Sequence, residues 1–88
     1  MNEIDKVIEK LLRNIETAAQ CSDSESVSFY STVYQRIVSV LKNEAVKKQW
    51  DVAFVIASKL NIAIADGDDE DIENYSKAIQ RILSVQCN

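Results

Sequence analysis

The stretch Asp51-Val52-Ala53-Phe54-Val55-Ile56-Ala57-Ser58-Lys59-Leu60-Asn61-Ile62-Ala63-Ile64-Ala65 decides the architecture of this chain. Wound as a helix it is apolar on nearly every side, and the acidic run Asp66-Gly67-Asp68-Asp69-Glu70-Asp71 stops it abruptly. A helix apolar all round must be covered all round, by its own chain or by a partner. With one glycine and no proline in 88 residues, a β fold would lack the residues that close its hairpins. The expected fold is all-α: a small, mostly antiparallel four-helix bundle forming a single domain over residues 1–88. Helices are expected over about residues 3–20, 24–43, 48–65 and 69–86, the third being central.

Outward from that stretch, both flanks carry helix signals. Gly67 suits the left-handed position just past the third helix. Asp68 is placed to cap the fourth, with Asp69, Glu70 and Asp71 in its first turn, where carboxylates favour the positive end of the helix dipole. Ile72, Tyr75, Ile79, Ile82, Leu83 and Gln86 follow at helical spacing, and Arg81 lies near the negative end. In the first helix Ile4, Ile8, Leu11, Leu12, Ile15 and Ala19 form the apolar stripe, and Val7 widens it. Ser22 followed by Glu25 has the spacing of a capping box, so the second helix is expected to start there. That helix carries Val27, Tyr30, Val33, Tyr34, Ile37, Val40 and Leu41. A short break is expected near 43–48; the alternative is one continuous helix from about 24 to 65, roughly 60 Å long.

Composition excludes several function classes. The net charge is −4, and duplex binding rests on counterion release by Lys and Arg, so nucleic acid is not an expected partner. Cys21 and Cys87 are too few for a disulfide framework. The N-terminus Met1-Asn2-Glu3-Ile4-Asp5-Lys6 lacks the apolar core of a signal peptide. The Asp51–Ala65 run is too short, and too interrupted by Ser58, Lys59 and Asn61, to span a bilayer. A cytoplasmic protein without membrane insertion is expected. A domain this short buries only about 60–65% of its unfolded surface, so a partner or second copy would add much to its stability.

The chemistry-bearing residues form no constellation. An EF-hand loop starting at Asp66 would need glycine at its sixth position and glutamate at its twelfth; the chain has Asp71 and Lys77 there. The absence of histidine removes the commonest general base and metal ligand. Neither cysteine sits in a motif that lowers a thiol pKa. No catalytic residue, cofactor or metal is expected, and the chain is read as no enzyme. Ser22, Ser24, Ser26, Ser28 and Ser31 are of the type that caps and turns prefer, although phosphate near a helix start would be tolerated. Trp50, Phe54, Tyr30, Tyr34 and Tyr75 are read as core. If Trp50, Ala53, Phe54, Ala57, Leu60 and Ile64 face the bundle, Val55 and Ile62 lie on the face shared by Asp51 and Ser58. Those four residues are the candidate partner-binding strip.

From about residue 46 to 84 the spacing resembles the helical domain shared by the steroid receptor RNA activator protein and the C-terminus of the large COPII outer-coat subunit. The resemblance is carried by Trp50, Ala53, Ile56 and Leu60, and by Tyr75, Ala78, Ile79, Gln80, Arg81, Ile82 and Leu83. The chain departs from that pattern at Ala57, at Ala78 and at Gln80, and its intervening loop is about four residues longer. The resemblance implies a scaffold or interaction module without catalysis. The function expected is a protein–protein interaction module, of adaptor or scaffold type, whose partner is another protein or a second copy of itself. The alternative is a small phage- or plasmid-encoded antagonist that binds and inhibits a host protein.

Overall fold

In the computed structural model, which describes residues 3–41 and 49–84, four helices account for nearly all of those residues: α1 Glu3–Gln20, α2 Ser24–Leu41, α3 Gln49–Asp66 and α4 Asp69–Ser84. They pack as an all-α four-helix bundle. The break expected near 43–48 lies outside the described residues. The continuous-rod alternative is nonetheless excluded. Residues 34 and 49 would be roughly 22 Å apart along one helix, whereas the Tyr34 hydroxyl donates to Gln49 Oε1 at 2.9 Å.

The two described turns use the same device. After α1, Ser22 takes a left-handed φ of 58°; its amide donates to the Ala19 carbonyl and that of Asp23 to the Ala18 carbonyl. After α3, Gly67 has φ 70°, with its amide on Ile64 and that of Asp68 on Ala63. Both are Schellman closures, which satisfy the last carbonyls of a helix. In both, the next residue is an aspartate that caps the following helix. Asp23 Oδ1 accepts the Ser26 amide at 3.2 Å, and Asp68 Oδ1 accepts the Asp71 amide at 3.2 Å. The capping box expected at Ser22 is thereby corrected. A residue turned into the left-handed region to close α1 cannot also hold the extended backbone of a cap, so Asp23 takes that role.

Packing follows from these reversals. α1 packs on α2 and α3, and α4 packs on α2 and α3; α2 and α3, neighbours in sequence, lie diagonally opposite. α4 runs alongside α2 in the same direction, as three tethers show. Buried Ser24 donates to Asp71 and accepts from Asn74, Arg81 donates to Ser28, and Gln35 donates to Ser84. The core gathers Ile8, Leu12 and Ile15 from α1, Val27, Tyr34 and Val38 from α2, Val52 and Ile56 from α3, and Tyr75 and Ile82 from α4. Each aliphatic so buried contributes about 1.5–3 kcal/mol. Ala53, Ala63 and Ala78 are buried too, and such small residues let helix axes approach closely. Ser31 also sits inside, its hydroxyl satisfied by the Ser28 carbonyl at 2.8 Å. Among the described residues no buried side-chain nitrogen or oxygen lacks a partner.

Candidate functional site: an apolar strip on the third helix

The centre of α3 is where the expected orientation fails. Its buried residues are Gln49, Val52, Ala53, Ile56 and Ala63. Trp50, Phe54 and Ile64, expected to face the bundle, are 57%, 67% and 58% exposed, and Ala57 is exposed beside them. Of the expected inward stripe, only Ala53 and half-buried Leu60 point in. Of the aromatics read as core, Tyr34 and Tyr75 are fully enclosed and Tyr30 is half-buried. The physical reason lies in volume. The two enclosed tyrosines, from α2 and α4, occupy the middle of a close-packed interior, and α3 can approach them only through valine, isoleucine and alanine. Its largest side chains are turned out.

The outward residues have order. Trp50, Phe54, Ala57, Asn61 and Ile64 fall at i, i+4, i+7, i+11 and i+14, the spacing of a coiled-coil seam, with one polar member at Asn61. The seam runs about 21 Å along the helix. Its side of α3 is fixed by the neighbours. Asp51 and Val52 line a shallow pocket with Glu9, Leu12, Arg13 and Glu16 of α1, so the opposite flank, bearing the seam, borders α4. On α4, Ile72, Ile79 and Leu83 lie half-buried against the core. They occupy the flank away from Asp71, Asn74 and Arg81, which reach toward α2, so they edge the same groove.

The four residues expected as the partner strip fall on the other flank or the rim. Val55 is half-buried against the core, and Ile62 is 55% exposed. Asp51 and Ser58 are exposed, the Ser58 hydroxyl donating to the Phe54 carbonyl at 3.1 Å. Asp51, Val55 and Ile62, at i, i+4 and i+11, therefore share one flank, on the α1 side and away from the seam. α3 exposes aliphatic or aromatic side chains on both flanks, and the flank bearing two aromatics is the larger surface. A 3.5-residue count through Trp50, Phe54, Ala57, Asn61 and Ile64 would have found it in the sequence.

The α3–α4 hairpin carries an excess of acid. Residues 49–84 contain seven acids and three bases, and so carry the chain's whole net charge of −4. Each of the three bases is engaged: Lys59 donates to the Ser22 hydroxyl at 3.2 Å, Lys77 pairs with Glu73 at 2.8 Å, and Arg81 donates to Ser28. Asp51, Asp66, Asp68, Asp69 and Glu70 are exposed. At the end where α2 and α4 both begin, the Glu25 carboxyl beside Glu70 pushes the Glu70 pKa up, helped by Asp68 and Asp71. No group of three or more acidic or cysteine side chains is placed to hold a metal ion among the described residues. No described helix is long and apolar enough to cross a membrane.

No protein family matches the chain, and no curated protein or solved structure matches it. Of the positions that carry the coat-subunit resemblance, Ala53, Ile56, Tyr75, Ala78 and Ile82 are buried and Trp50 is exposed.

Proposed function

We propose that this chain is a non-catalytic protein–protein interaction module, an adaptor or scaffold-type helical bundle that presents α3 to a partner. One observation carries the reading: the chain turns Trp50, Phe54 and Ile64 to solvent on one flank of α3 while its core is already closed. Those three side chains expose on the order of 300–400 Å² of apolar surface, within the range of patches that are commonly functional on a monomer. Aromatic anchors of this kind dominate the energetics of interfaces. The exposed thiol of Cys21 suits a reducing compartment such as the cytoplasm.

The test is quantitative affinity capture from the producing cell. The tagged wild type is compared with a Trp50→Ser/Phe54→Ser/Ile64→Ser variant and with Ile62→Lys on the other flank. The triple variant is expected to keep a cooperative helical melt and to lose at least nine-tenths of the captured protein, with Ile62→Lys unaffected. Equal capture by all three proteins would remove the strip from the function. Loss with Ile62→Lys alone would move the site to the flank of Val55 and Ile62.

A further inference from the structure

At the end of the bundle where α2 and α4 begin, a cleft of about 190 Å³ opens between the α1–α2 turn, α3 and α4. It is smaller than the roughly 300–1,000 Å³ of sites for drug-sized molecules, so its occupant is small. Ile62 gives it an apolar side, while Asp66, Asp68 and Asp71 set three carboxylates against one base, Lys59. That base does not neutralise them. Its ammonium donates to the Ser22 hydroxyl at 3.2 Å, and no ion pair joins it to a carboxylate among the described residues. Carboxylates at a helix start are ordinary caps, and Asp68 serves as one. Tyr75 is what capping does not explain. It is only 2% exposed, it lines the cleft, and its hydroxyl has no hydrogen-bond partner among the described residues. No buried side-chain oxygen there lacks a partner, so the slight exposure Tyr75 retains includes the hydroxyl oxygen, which opens into the cleft. Helical side chains lean back toward the helix start, which carries this hydroxyl toward the carboxylates. Burial first, then Asp71, Asp23 and Asp68, push its pKa up. The phenol keeps its proton, and its oxygen offers lone pairs to a donor.

We propose that this cleft binds an organic cation, a primary ammonium or guanidinium group on an aliphatic stem. Asp68 and Asp71 each commit one oxygen within the fold, to the Asp71 amide and the Ser24 hydroxyl. Their other oxygens, the Asp66 carboxylate and the Tyr75 hydroxyl accept the N–H groups of the cation, and the stem lies along Ile62. A bare metal ion does not suit this donor set, since no three acidic or cysteine side chains are grouped to hold one among the described residues. An ammonium or guanidinium has several diverging donors and can reach acceptors so spaced. The same chemistry has two sources: a free diamine, or a lysine or arginine side chain of another protein.

The test is titration of the full chain at constant ionic strength, followed by NMR. n-Butylammonium is expected to shift the resonances of Tyr75, Asp66 and Ile62 saturably. Tetramethylammonium, of equal charge but without an N–H, is expected to bind about tenfold more weakly. Tyr75→Phe removes only an unpartnered hydroxyl, so it should melt like the wild type while weakening n-butylammonium about threefold or more. Asp66→Asn, at an exposed position, should weaken it by about as much. Lys59→Gln keeps a donor for Ser22 and removes a competing charge, so it should tighten binding about twofold. Cadaverine and the Nα-acetyl methylamides of lysine and arginine then separate the sources. Tighter binding of the diamine assigns the cleft to a free amine; equal or tighter binding of an amino-acid derivative assigns it to a partner's side chain. No saturable shift with n-butylammonium, equal binding of tetramethylammonium, or unchanged binding by Tyr75→Phe would each overturn the proposal. The cleft and the strip lie on different flanks of α3, so these results leave the interaction reading of Trp50, Phe54 and Ile64 to its own test.

Discussion

Ser22 is the one described residue other than glycine held at positive φ, at 58°, and its counterpart Gly67 does the same work at 70°. The pair makes a matched experiment, because a left-handed backbone costs an L side chain roughly 1–2 kcal/mol. Nothing lies within 4 Å of a methyl added at Gly67, so Gly67→Ala would be opposed by the backbone alone. That substitution is expected to destabilise by about 1 kcal/mol. Ser22→Gly is expected to stabilise by about 0.5–1 kcal/mol, strain relief outweighing the exposed bond to Lys59. Urea denaturation of both variants checks the opposite signs. Equal signs would mean that the two turns are not the same closure.

At the scale of elements, α2 and α4 start side by side, and their first turns set Glu25 against Glu70. Two positive helix ends attract carboxylates, yet a hydrogen bond between the Glu70 and Glu25 carboxyls favours the protonated form and the two repel as anions, which raises the Glu70 pKa. A folded pKa above the unfolded one means that the native state holds more protons, so stability falls as pH rises through that window. Acidification from neutrality toward the ordinary carboxylate range should therefore raise the melting temperature. Asp23 and Glu73 act in the opposite sense. Hydrogen bonds from Ser26 hold the Asp23 carboxyl low, and Lys77 holds that of Glu73 low. Their contributions are present above the ordinary carboxylate pKa and are lost as pH falls through the lowered values. A stability maximum on the acidic side of neutrality is expected, and Glu70→Gln should flatten the slope just above the ordinary carboxylate pKa. An unchanged slope in that variant, followed by thermal melts, would show that the repulsion lies elsewhere.

For the whole molecule, topology sets Cys21 apart from the end of α4, beyond which Cys87 lies outside the described residues. Cys21 follows α1 at the end where α2 and α4 begin. α4 then runs 16 residues to Ser84, about 24 Å away. Three further residues of chain reach at most about 11 Å, so Cys87 cannot return to disulfide distance from Cys21. Both thiols should label under non-reducing denaturing conditions, read by mass spectrometry. A bridge within one chain would require a different helix order round the bundle.

The helical class, the four elements and the capping role of Asp68 could be read from the sequence because they depend on local physics. A 3.6-residue period, a glycine beyond a helix end and a carboxylate before the next each act within a few residues of chain. Even the error at Ser22 was local: serine and aspartate both cap helices, and only the backbone closing α1 chose between them. The buried place of Ser31 was hidden because its polarity is satisfied one turn back, which no apolar pattern records. Which face of α3 meets the core was not local at all. A helix apolar on every side has no periodicity that prefers one orientation, so its rotation is set by the shapes it must fit. Tyr34 and Tyr75 arrive from two other helices and leave room for Val52, Ala53, Ile56 and Ala63 but not for Trp50 or Phe54. Packing between segments distant in sequence therefore turned the aromatics outward and made the groove, and no reading of the chain one residue after another contains that competition for volume.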